Sequence, residues 1–489
     1  MRLSLSSVVS RVSSGLTGRD QASGCGASFA SVASPSSFKC ADTDQPDLSL
    51  RLRDFGTRRP PRLPASPVLG SLRDFQSRPI ELFTRAYRAL GPVFRIRLGP
   101  KRFVVLAGAE SNRLVTTREQ EFLSSEGMYD AIAKRVGDDP ASLLTNVDGE
   151  RHRKLRSDVQ PGFTRSAFEE QLESAVDVVE RYFEGFAPGE SQNATDLCKR
   201  LLVAQMGEVC LGVQPDGYFD DVDTVTDGLV RTVTKPWENY LPTPRRFRRS
   251  LVRLSGLWDL VSASPSAGSR RWSQISRRLA DEYAKTRSGA ALLVVMPLVS
   301  GLDTLGSSLS FMLYALASNA DAQEQIAAEV REAVGSGPLT REVFRQMPLL
   351  RAAMLESFRL YPAVPGVMRY APAAVEVGGF QIRKNEKVFL PFVLPHHLEE
   401  FYPEPEKFRL ERFLEHGAAT AAPGAFAPFG VGAHACVGSG ISEACFLTTI
   451  AVFLRRYRID LDPPGYVLDV RWKPSAVPEG LRIRMHVRD

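Results

Sequence analysis

One cysteine lies in a stretch whose residue types suit the binding of a metal through sulfur. Cys436 follows Gly430 and Gly432, precedes Gly438, and stands immediately before a predicted helix. Glycines permit tight backbone turns and the close approach of a flat ligand. The N-terminus of a helix offers unpaired N–H groups and partial positive charge. This position therefore predicts a thiolate rather than a thiol.

The remaining cysteines give no comparable signal. No two cysteines have the CxxC spacing, so neither a zinc site nor a redox dithiol is indicated. Isolated cysteines such as Cys198 and Cys445 are predicted to be small buried hydrophobic residues. Six cysteines in a chain of 489 residues favour a reducing compartment.

Two polar residues interrupt an apolar segment, residues 290–319, which is predicted to be one long helix containing small residues. Asp303 and Thr304 would be costly to bury there unless they are paired or used. One alternative for Thr304 is an ordinary hydrogen bond to a carbonyl of its own helix. Pro297, six residues before Asp303, should kink this helix or mark its effective start.

Around these residues the pattern is mainly helical. Val93 to Leu98 and Phe103 to Leu106 are predicted to be paired strands, because Gly99 and Pro100 supply a turn between them. A loop-rich region with short strands is predicted over residues 364–435, and two or three short strands should end the chain. Helices are predicted over several stretches, namely residues 167–285, 290–319, 321–334, 340–360 and 437–455.

Composition narrows the class of protein. Hydrophobic residues make up 43% and charged residues 24% of the chain, which is typical of a globular protein. The longest apolar run, residues 290–299, is too short to span a bilayer, so no transmembrane anchor is predicted. The net charge is +6 without a dense basic tract, which argues against nucleic acid as a partner.

The first 40 residues differ from the rest, with twelve serines, three arginines and one acidic residue. This composition is typical of an organellar transit peptide. Residues 1–45 are therefore predicted to be a transit-peptide-like or disordered leader. A mitochondrial location is favoured, with a plastid or the cytoplasm as alternatives.

The stretch around Cys436 resembles the signature of the cytochrome P-450 family, Phe-x-x-Gly-x-His/Arg-x-Cys-x-Gly, at every fixed position. The matching residues are Phe429, Gly432, His434, Cys436 and Gly438. The resemblance covers residues 58–489 and implies a mainly α fold with a small β-rich lobe. It also implies haem b with Cys436 as axial ligand, since an axial thiolate favours O–O cleavage.

The resemblance assigns a structural role to three charged residues. Glu356 and Arg359 match Glu-x-x-Arg, a spacing that places both side chains on one helix face. Arg412 matches the family's later arginine, which completes a buried triad with this pair. The triad is expected to fix the cysteine loop rather than to act in catalysis.

The family's oxygen-activation motif is matched by residues 300–304, with Ser300 as a small departure. By this resemblance, Asp303 would relay protons and Thr304 would steady the bound oxygen until they arrive. Haem also carries two propionates, which need cationic or hydrogen-bonding partners. The resemblance nominates His152, Arg156, Arg369 and His434 for them, and it places Phe429 and Gly438 at the cofactor.

The implied activity is insertion of one atom of O2 into a hydrophobic lipid-, sterol- or isoprenoid-like substrate. No dinucleotide motif is found in the chain, so electrons are expected from a separate donor such as a ferredoxin with its reductase. Peripheral membrane contact is left open. One alternative is a haem-thiolate isomerase or dehydratase acting on peroxides, although such members commonly lose the acid–threonine pair. The other is a non-catalytic haem-binding protein.

Two departures from the family pattern stand out. Animal mitochondrial members have arginines where this chain has Ser439 and Gly440, and lysines where it has Arg351 and Leu355. The ferredoxin-docking surface is therefore only partly matched. The helix predicted after Trp272 also runs almost directly into the long apolar helix, where the family normally has a further loop and helix.

Overall fold

Helices form most of the protein. The computed structural model describes residues 48–139, 142–234, 239–414, 422–473 and 475–488, so the predicted leader, residues 1–45, lies outside the described residues. In chain order the described α-helices are α1 (Leu72–Ser77), α2 (Pro79–Leu90), α3 (Ala109–Phe122), α4 (Asp130–Val136), α5 (Gly149–Val159), α6 (Arg165–Glu169), α7 (Leu172–Glu184), α8 (Ala194–Met206), α9 (Phe219–Thr234), α10 (Arg245–Ala263), α11 (Arg271–Tyr283), α12 (Arg287–Val294), α13 (Met296–Ser318), α14 (Ala320–Val334), α15 (Arg341–Phe344), α16 (Pro348–Leu360), α17 (Glu411–Leu414) and α18 (Ser439–Arg456).

The strands of the described residues are short and form four small sheets. They are β1 (Leu50–Arg51), β2 (Val93–Leu98), β3 (Lys101–Leu106), β4 (Ser191–Asn193), β5 (Val367–Tyr370), β6 (Val375–Val377), β7 (Phe380–Ile382), β8 (Lys387–Leu390), β9 (Tyr457–Leu461), β10 (Val470–Lys473), β11 (Ser475–Pro478) and β12 (Arg482–Val487). The strand orders are β2-β3-β8-β5, β1-β6-β7, β4-β12-β9 and β10-β11. The predicted class, mainly α with a small β component, is confirmed.

The predicted strand pair is confirmed as the antiparallel hairpin of β2 and β3, in a register that runs from Val93 opposite Leu106 to Leu98 opposite Lys101. Gly99 takes a positive φ of 60° in the turn, which glycine adopts without strain. β8 joins β3 in parallel, and β5 pairs antiparallel with β8. This sheet holds Arg369, in β5, opposite Val388 and so fixes the base of its side chain.

The long apolar segment is two helices rather than one. α12 ends at Val294, Val295 lies between the helices, and α13 begins at Met296 with a proline in its first turn. The axes bend by 49° at this break. A proline in the first turn lacks only an N–H that would have no partner there. Pro297 therefore marks a helix start, as predicted, and the prediction of one continuous helix over residues 290–319 is wrong.

No single helix of the described residues is both long and apolar enough for a membrane span, although α12 and α13 taken together meet that test of length and composition.

Proline also divides the helix predicted over residues 340–360. The chain forms α15, breaks at Arg345 to Met347, and resumes as α16 with Pro348 in the first turn. Among the described residues, four strands rather than two or three follow α18. The helix around Trp272 runs almost directly into the apolar segment, as predicted, because only residues 284–286 separate the end of α11 from the start of α12.

Two helices form the centre of the core. α18 is buried almost without interruption from Ile441 to Leu454, and α13 is buried over most of its second half. α13 packs most extensively against α8 and also touches α18. The fully buried Trp272 donates its indole N–H to the Val294 carbonyl at 2.8 Å, which ties α11 to α12. The cysteine loop and the Asp303 segment are thus attached to neighbouring rigid elements.

Candidate active site

The cysteine loop, residues 429–438, is a tight backbone structure that leads into α18. The Cys436 N–H donates to the Phe429 carbonyl at 2.8 Å, and the Ala435 N–H donates to Gly432 at 3.1 Å. Gly430 and Gly432 have φ values of 82° and 78°. These left-handed conformations strongly favour glycine, and they aim the loop so that Cys436 stands at its far end.

The Cys436 thiol is accessible to solvent, yet protein surrounds it closely. Burial raises the pKa of this thiol and outweighs the Gly438 N–H and the nearby Arg156 charge, which both lower it. Burial thus opposes the thiolate that the helix N-terminus favours. Deprotonation at neutral pH needs a stronger partner, and a coordinated metal ion supplies one.

Arg156 and His152 lie one turn apart on α5, facing this loop. The Arg156 Nη1 donates to the Ala435 carbonyl at 2.8 Å. His152 is 1% exposed and packs against His434 with the two rings tilted by 44° and 4.1 Å between their centroids. Both ring nitrogens of His152 lack a hydrogen-bond partner among the described residues. Burial, followed by the charges of His434 and Arg156, lowers the pKa of His152 to about 4, so the ring is neutral at neutral pH.

His434 is held from the opposite side by Asp148, whose Oδ1 lies 2.7 Å from the His434 Nε2. The Ser125 hydroxyl lies 3.3 Å from the same nitrogen. Burial raises the pKa of Asp148, but hydrogen bonds from His434 and Ser124 outweigh it and hold this pKa well below its usual range. Asp148 is therefore ionised and orients the His434 ring.

Arg369 is 4% exposed and donates from Nε to the Glu119 carboxylate at 2.8 Å. The other Glu119 oxygen accepts the Ala433 N–H of the cysteine loop at 2.7 Å. The structure thus gathers all four nominated side chains, His152, Arg156, Arg369 and His434, at residues 433–436, with Arg369 acting through Glu119. Glu119 itself was missed by the sequence reasoning.

The predicted triad is in place and buried. Arg359 forms a two-pronged pair with Glu356, with distances of 2.7 and 2.9 Å, and neither side chain is exposed. Arg412 approaches the same carboxylate at 3.2 Å. The Arg359 Nη1 also donates to the carbonyls of His396 and Pro405, both at 2.7 Å.

The triad reaches the cysteine loop in two ways. The His396 ring accepts the Ala427 N–H at 2.9 Å, and the Ala427 carbonyl accepts the Gly430 N–H at 3.2 Å. Phe358, next to Arg359 in α16, packs edge-on against Phe429 at 5.5 Å. A continuous set of contacts therefore links the triad to the loop.

Asp303 and Thr304 lie on α13, next to a stretch of the helix whose surface is not covered by other described residues. A Cβ added to Gly301 would meet nothing within 4 Å, and Ser300 is exposed. The Thr304 hydroxyl makes no hydrogen bond among the described residues, so the alternative of a bond to its own helix is not found. Hydrogen bonds and ion pairs of the described chain do not join Asp303 or Thr304 to the cysteine loop.

Asp303 has a partner that its sequence context did not reveal. Lys199 of α8 lies 2.5 Å from the Asp303 carboxylate and 3.2 Å from Asp223 of α9. Burial lowers the pKa of Lys199, but the two carboxylates outweigh it and the net pKa is raised. Lys199 is therefore charged, and it bridges three helices.

A mainly helical fold that carries a cysteine loop braced by a buried Glu–Arg–Arg triad is the architecture of the haem-thiolate proteins. The family model of cytochrome P-450 matches residues 60–258 and 286–479. The chain belongs to the cytochrome P-450 family. The interval between the two matched parts falls where a departure from the family was expected, before α13.

Curated relatives carry the same family identity. The chain is 27% identical over 408 residues to cyclooctat-9-en-7-ol 5-monooxygenase of Streptomyces melanosporofaciens, covering 80% of this chain and 88% of that protein. It is 23% identical over 421 residues to lanosterol 14-alpha demethylase of Bos taurus, covering 83% of each. These relatives support a cytochrome P-450 monooxygenase, so the protein is an enzyme of this class.

A solved structure agrees on the fold. Retinoic acid-bound cyanobacterial CYP120A1 superposes with a TM-score of 0.75 at 24% identity, covering 88% of this chain and all of that one. The family implies a haem-thiolate cofactor, and the residues present fit it. Cys436 offers an accessible sulfur inside the protein, and His152 has two buried ring nitrogens without partners.

Proposed function

We propose that Cys436 is the axial ligand of a haem and that the chain inserts one atom of O2 into a hydrophobic substrate. The observation that carries this proposal is the accessible Cys436 sulfur at the tip of a loop held by the Glu356 triad, Arg156 and Glu119. When bound, haem with an axial thiolate supplies the reductive activation of dioxygen.

The chain's own residues have separable tasks. Arg156, Arg369 and His434 present positive or hydrogen-bonding groups where carboxylates can be held. The unpartnered ring nitrogens of His152 suit the same task. Asp303 holds or passes a proton at its carboxylate, which Lys199 keeps in place. Thr304 offers a hydroxyl that has no hydrogen-bond partner among the described residues and so is available for the last proton transfer. Such general acid–base groups contribute about 10²–10⁴-fold to a rate.

The substrate is proposed to be a lipid-, sterol- or isoprenoid-like molecule. The named relatives act on cyclooctat-9-en-7-ol and lanosterol, and the structural neighbour holds retinoic acid. All three are largely hydrocarbon molecules with one polar group. Electrons would come from a separate donor, with a ferredoxin and its reductase as first choice. The Asp303–Thr304 pair favours this reaction over a peroxide isomerase.

The test is the absorption of the reduced, CO-treated, haem-loaded protein. A thiolate ligand gives a Soret band at about 450 nm. We expect this band in the wild type and its loss in Cys436→Ser. Cys445→Ser is the matched control, because Cys445 is buried on α18 and bonds Gln205. A haem-loaded wild type without the band would refute the assignment.

Consumption of NADPH in the presence of a ferredoxin system and a bound lipid then separates a monooxygenase from an isomerase or a non-catalytic haem protein. An isomerase transforms peroxides without NADPH.

For the cellular location we propose the mitochondrion, on the serine-rich, arginine-containing composition of the first 40 residues. A fusion of residues 1–45 to a fluorescent protein should enter mitochondria. Entry into plastids, or retention in the cytoplasm, would contradict this proposal.

A further inference from the structure

Glu119 occupies an unusual position for an acid. It lies on α3 on the same face as Val115 and Phe122, and all three are buried, Glu119 with 4% exposure. A carboxylate among apolar neighbours is costly unless every charge and hydrogen bond is satisfied. Its partners should therefore explain why an acid is tolerated there.

The two carboxylate oxygens of Glu119 serve two different elements. Oε1 accepts from the Arg369 Nε at 2.8 Å, and both side chains are about equally buried. Oε2 accepts the Ala433 N–H at 2.7 Å, three residues before Cys436. Hydrogen bonds with an ionised partner are roughly twice as strong as neutral ones. One side chain thus ties strand β5 to the cysteine loop.

The loop backbone is fitted closely to this carboxylate. Gly432 has a φ of 78°, and a Cβ added there would lie 2.2 Å from the Glu119 Oε2. Any side chain at this position would displace the carboxylate. Glu119 therefore contacts the backbone of the loop rather than a flexible side chain.

The geometry also leaves part of Arg369 available. The guanidinium uses Nε for Glu119 and Nη1 for the Met368 carbonyl at 2.8 Å. Among the described residues no hydrogen bond uses Nη2. Mutual hydrogen bonds of Ser124 and Tyr370, at 2.9 and 3.0 Å, hold the end of α3 against β5 nearby. The plane of the guanidinium is thus fixed with one edge free for an anion.

We propose that Glu119 is a positioning residue, which sets the cysteine loop and the Arg369 guanidinium relative to each other and so fixes a haem at both its sulfur and its carboxylate side. The inference rests on the proposed function. Without Glu119, Arg369 would be a buried charge without its carboxylate, and the Ala433 N–H would lose its acceptor.

The test compares Glu119→Gln with Glu329→Gln in the haem-loaded protein. Glu329 on α14 is the matched control, because each of its carboxylate oxygens also accepts one hydrogen bond, here from the backbone N–H groups of Leu349 and Leu350 at 2.8 and 2.9 Å. The measurements are the rate of haem transfer to apomyoglobin and the midpoint reduction potential.

For Glu119→Gln we expect haem transfer faster by about tenfold or more, the usual effect of losing an outer partner of a metal site. The potential should shift upwards, since removal of a negative charge beside the loop favours the reduced iron. Glu329→Gln should match the wild type in both. Glu119→Asp keeps the charge but is shorter, so its potential should return towards wild type while its haem transfer stays fast.

If Glu119→Gln does not fold, the pair Glu119→Gln/Arg369→Gln removes the unpaired charge and is measured in its place, against Arg369→Gln alone. Faster haem transfer from the pair than from the single variant supports the inference through the Ala433 contact. Wild-type transfer and potential in Glu119→Gln, or equal transfer from the pair and the single variant, would overturn it. A wild type without the Soret band at about 450 nm would refute the proposed function instead.

Discussion

His152 gives the protein a pH dependence that can be assigned to one ring. Its pKa is lowered to about 4 in the folded chain by burial, then by His434 and Arg156, against a usual value of 6.5. Between these values the unfolded chain binds more protons than the folded chain. The free energy of unfolding of the haem-free protein should therefore fall as the pH falls from 6.5 towards 4, by up to about 3 kcal/mol.

Urea unfolding of the haem-free wild type and His152→Phe over this pH range checks this prediction. The variant should lose less stability, because it has no ring to protonate. Equal slopes would contradict it. Bound haem should also reduce this loss of stability in the wild type, because a propionate beside His152 would accept a hydrogen bond from the protonated ring.

Asp303 and Asp223 share the same lysine but differ in surroundings. The Asp303 side chain is 20% exposed and that of Asp223 is 44% exposed. Asp303→Asn should lower kcat by about 10²-fold or more, if its carboxylate moves a proton. Asp223→Asn should change kcat by less than about fivefold, because exposed ion pairs contribute at most about 1 kcal/mol.

Steady-state turnover with NADPH and the electron donor measures both variants. Similar losses in the two would mean that Lys199 and its carboxylates act only by holding three helices together.

At this scale the sequence predicted what depends on local spacing and missed what depends on distant partners. The Cys436 loop and the Glu356–Arg359 pair are set by positions a few residues apart. Glu119 stands in the charged run Arg118 to Glu121 and looks like part of a solvated face. Only its place with Val115 and Phe122, four and three residues away, could have marked it as buried. Lys199 gave no such signal, since its partner Asp303 is 104 residues away.

The triad connects α16 to the chain around His396 and Pro405, so its loss should destabilise more than its own helix. Arg359 has no exposed surface and bonds Glu356 together with three backbone carbonyls. Arg359→Met should lower the free energy of unfolding by about 3–5 kcal/mol, because it removes the two-pronged partner of the buried Glu356 and leaves only Arg412 and the Arg409 backbone N–H beside it among the described residues. Arg409→Met is the control, since its side chain is 45% exposed and pairs only with exposed Glu404.

Urea unfolding at constant pH measures both variants, and Arg409→Met should cost no more than about 1 kcal/mol. The haem content of purified Arg359→Met should fall as well, through the His396 and Ala427 contacts. If the haem content of Arg359→Met equals that of Arg409→Met, the triad does not support the cysteine loop.

Proline chemistry explains two helix starts, but the sequence predicted only one of them. Pro297 and Pro348 lie in the first turns of α13 and α16, where a residue without an N–H is tolerated. The start at Pro297 was expected, whereas residues 340–360 were expected to form one helix. The break at Val295 is different. Nothing in the local sequence distinguishes a kinked helix from two helices. The break also involves a distant partner, because the Trp272 indole N–H that donates to the Val294 carbonyl belongs to α11.

For the molecule as a whole, the described structure begins close to β1. Leu50 pairs with Val377 and Arg51 with Glu376, and Gly56 donates to Glu376 at 3.3 Å. The proposal that residues 1–45 are a leader predicts that their removal leaves the melting temperature and haem content unchanged. Removal of residues 1–55 should lower the melting temperature, because it deletes β1 and exposes the edge of β6.

Differential scanning calorimetry of the two truncated proteins checks this prediction. An equal loss in both would show that residues 1–45 contribute to the folded body. No change in either would show that β1 adds nothing to stability.

The whole fold was predictable as a class but not as an arrangement. The hydrophobic pattern indicated helices, a hairpin and a loop-rich late region, and the family resemblance supplied the architecture. Beyond the β2–β3 hairpin, the composition of the larger sheets could not be read from the pattern, because β1, β3 and β4 each pair with a strand from a distant part of the chain. β4 joins β12 in this way, with Asn193 opposite Arg482.

These distant pairings have a consequence for folding kinetics. β1 pairs with β6, which lies more than 300 residues later in the sequence, and β4 pairs with the distant β12. Closing such long loops costs entropy before any contact repays it, so the protein should fold slowly and after synthesis rather than on the ribosome. β1 and β4 should therefore be among the last strands to find their partners.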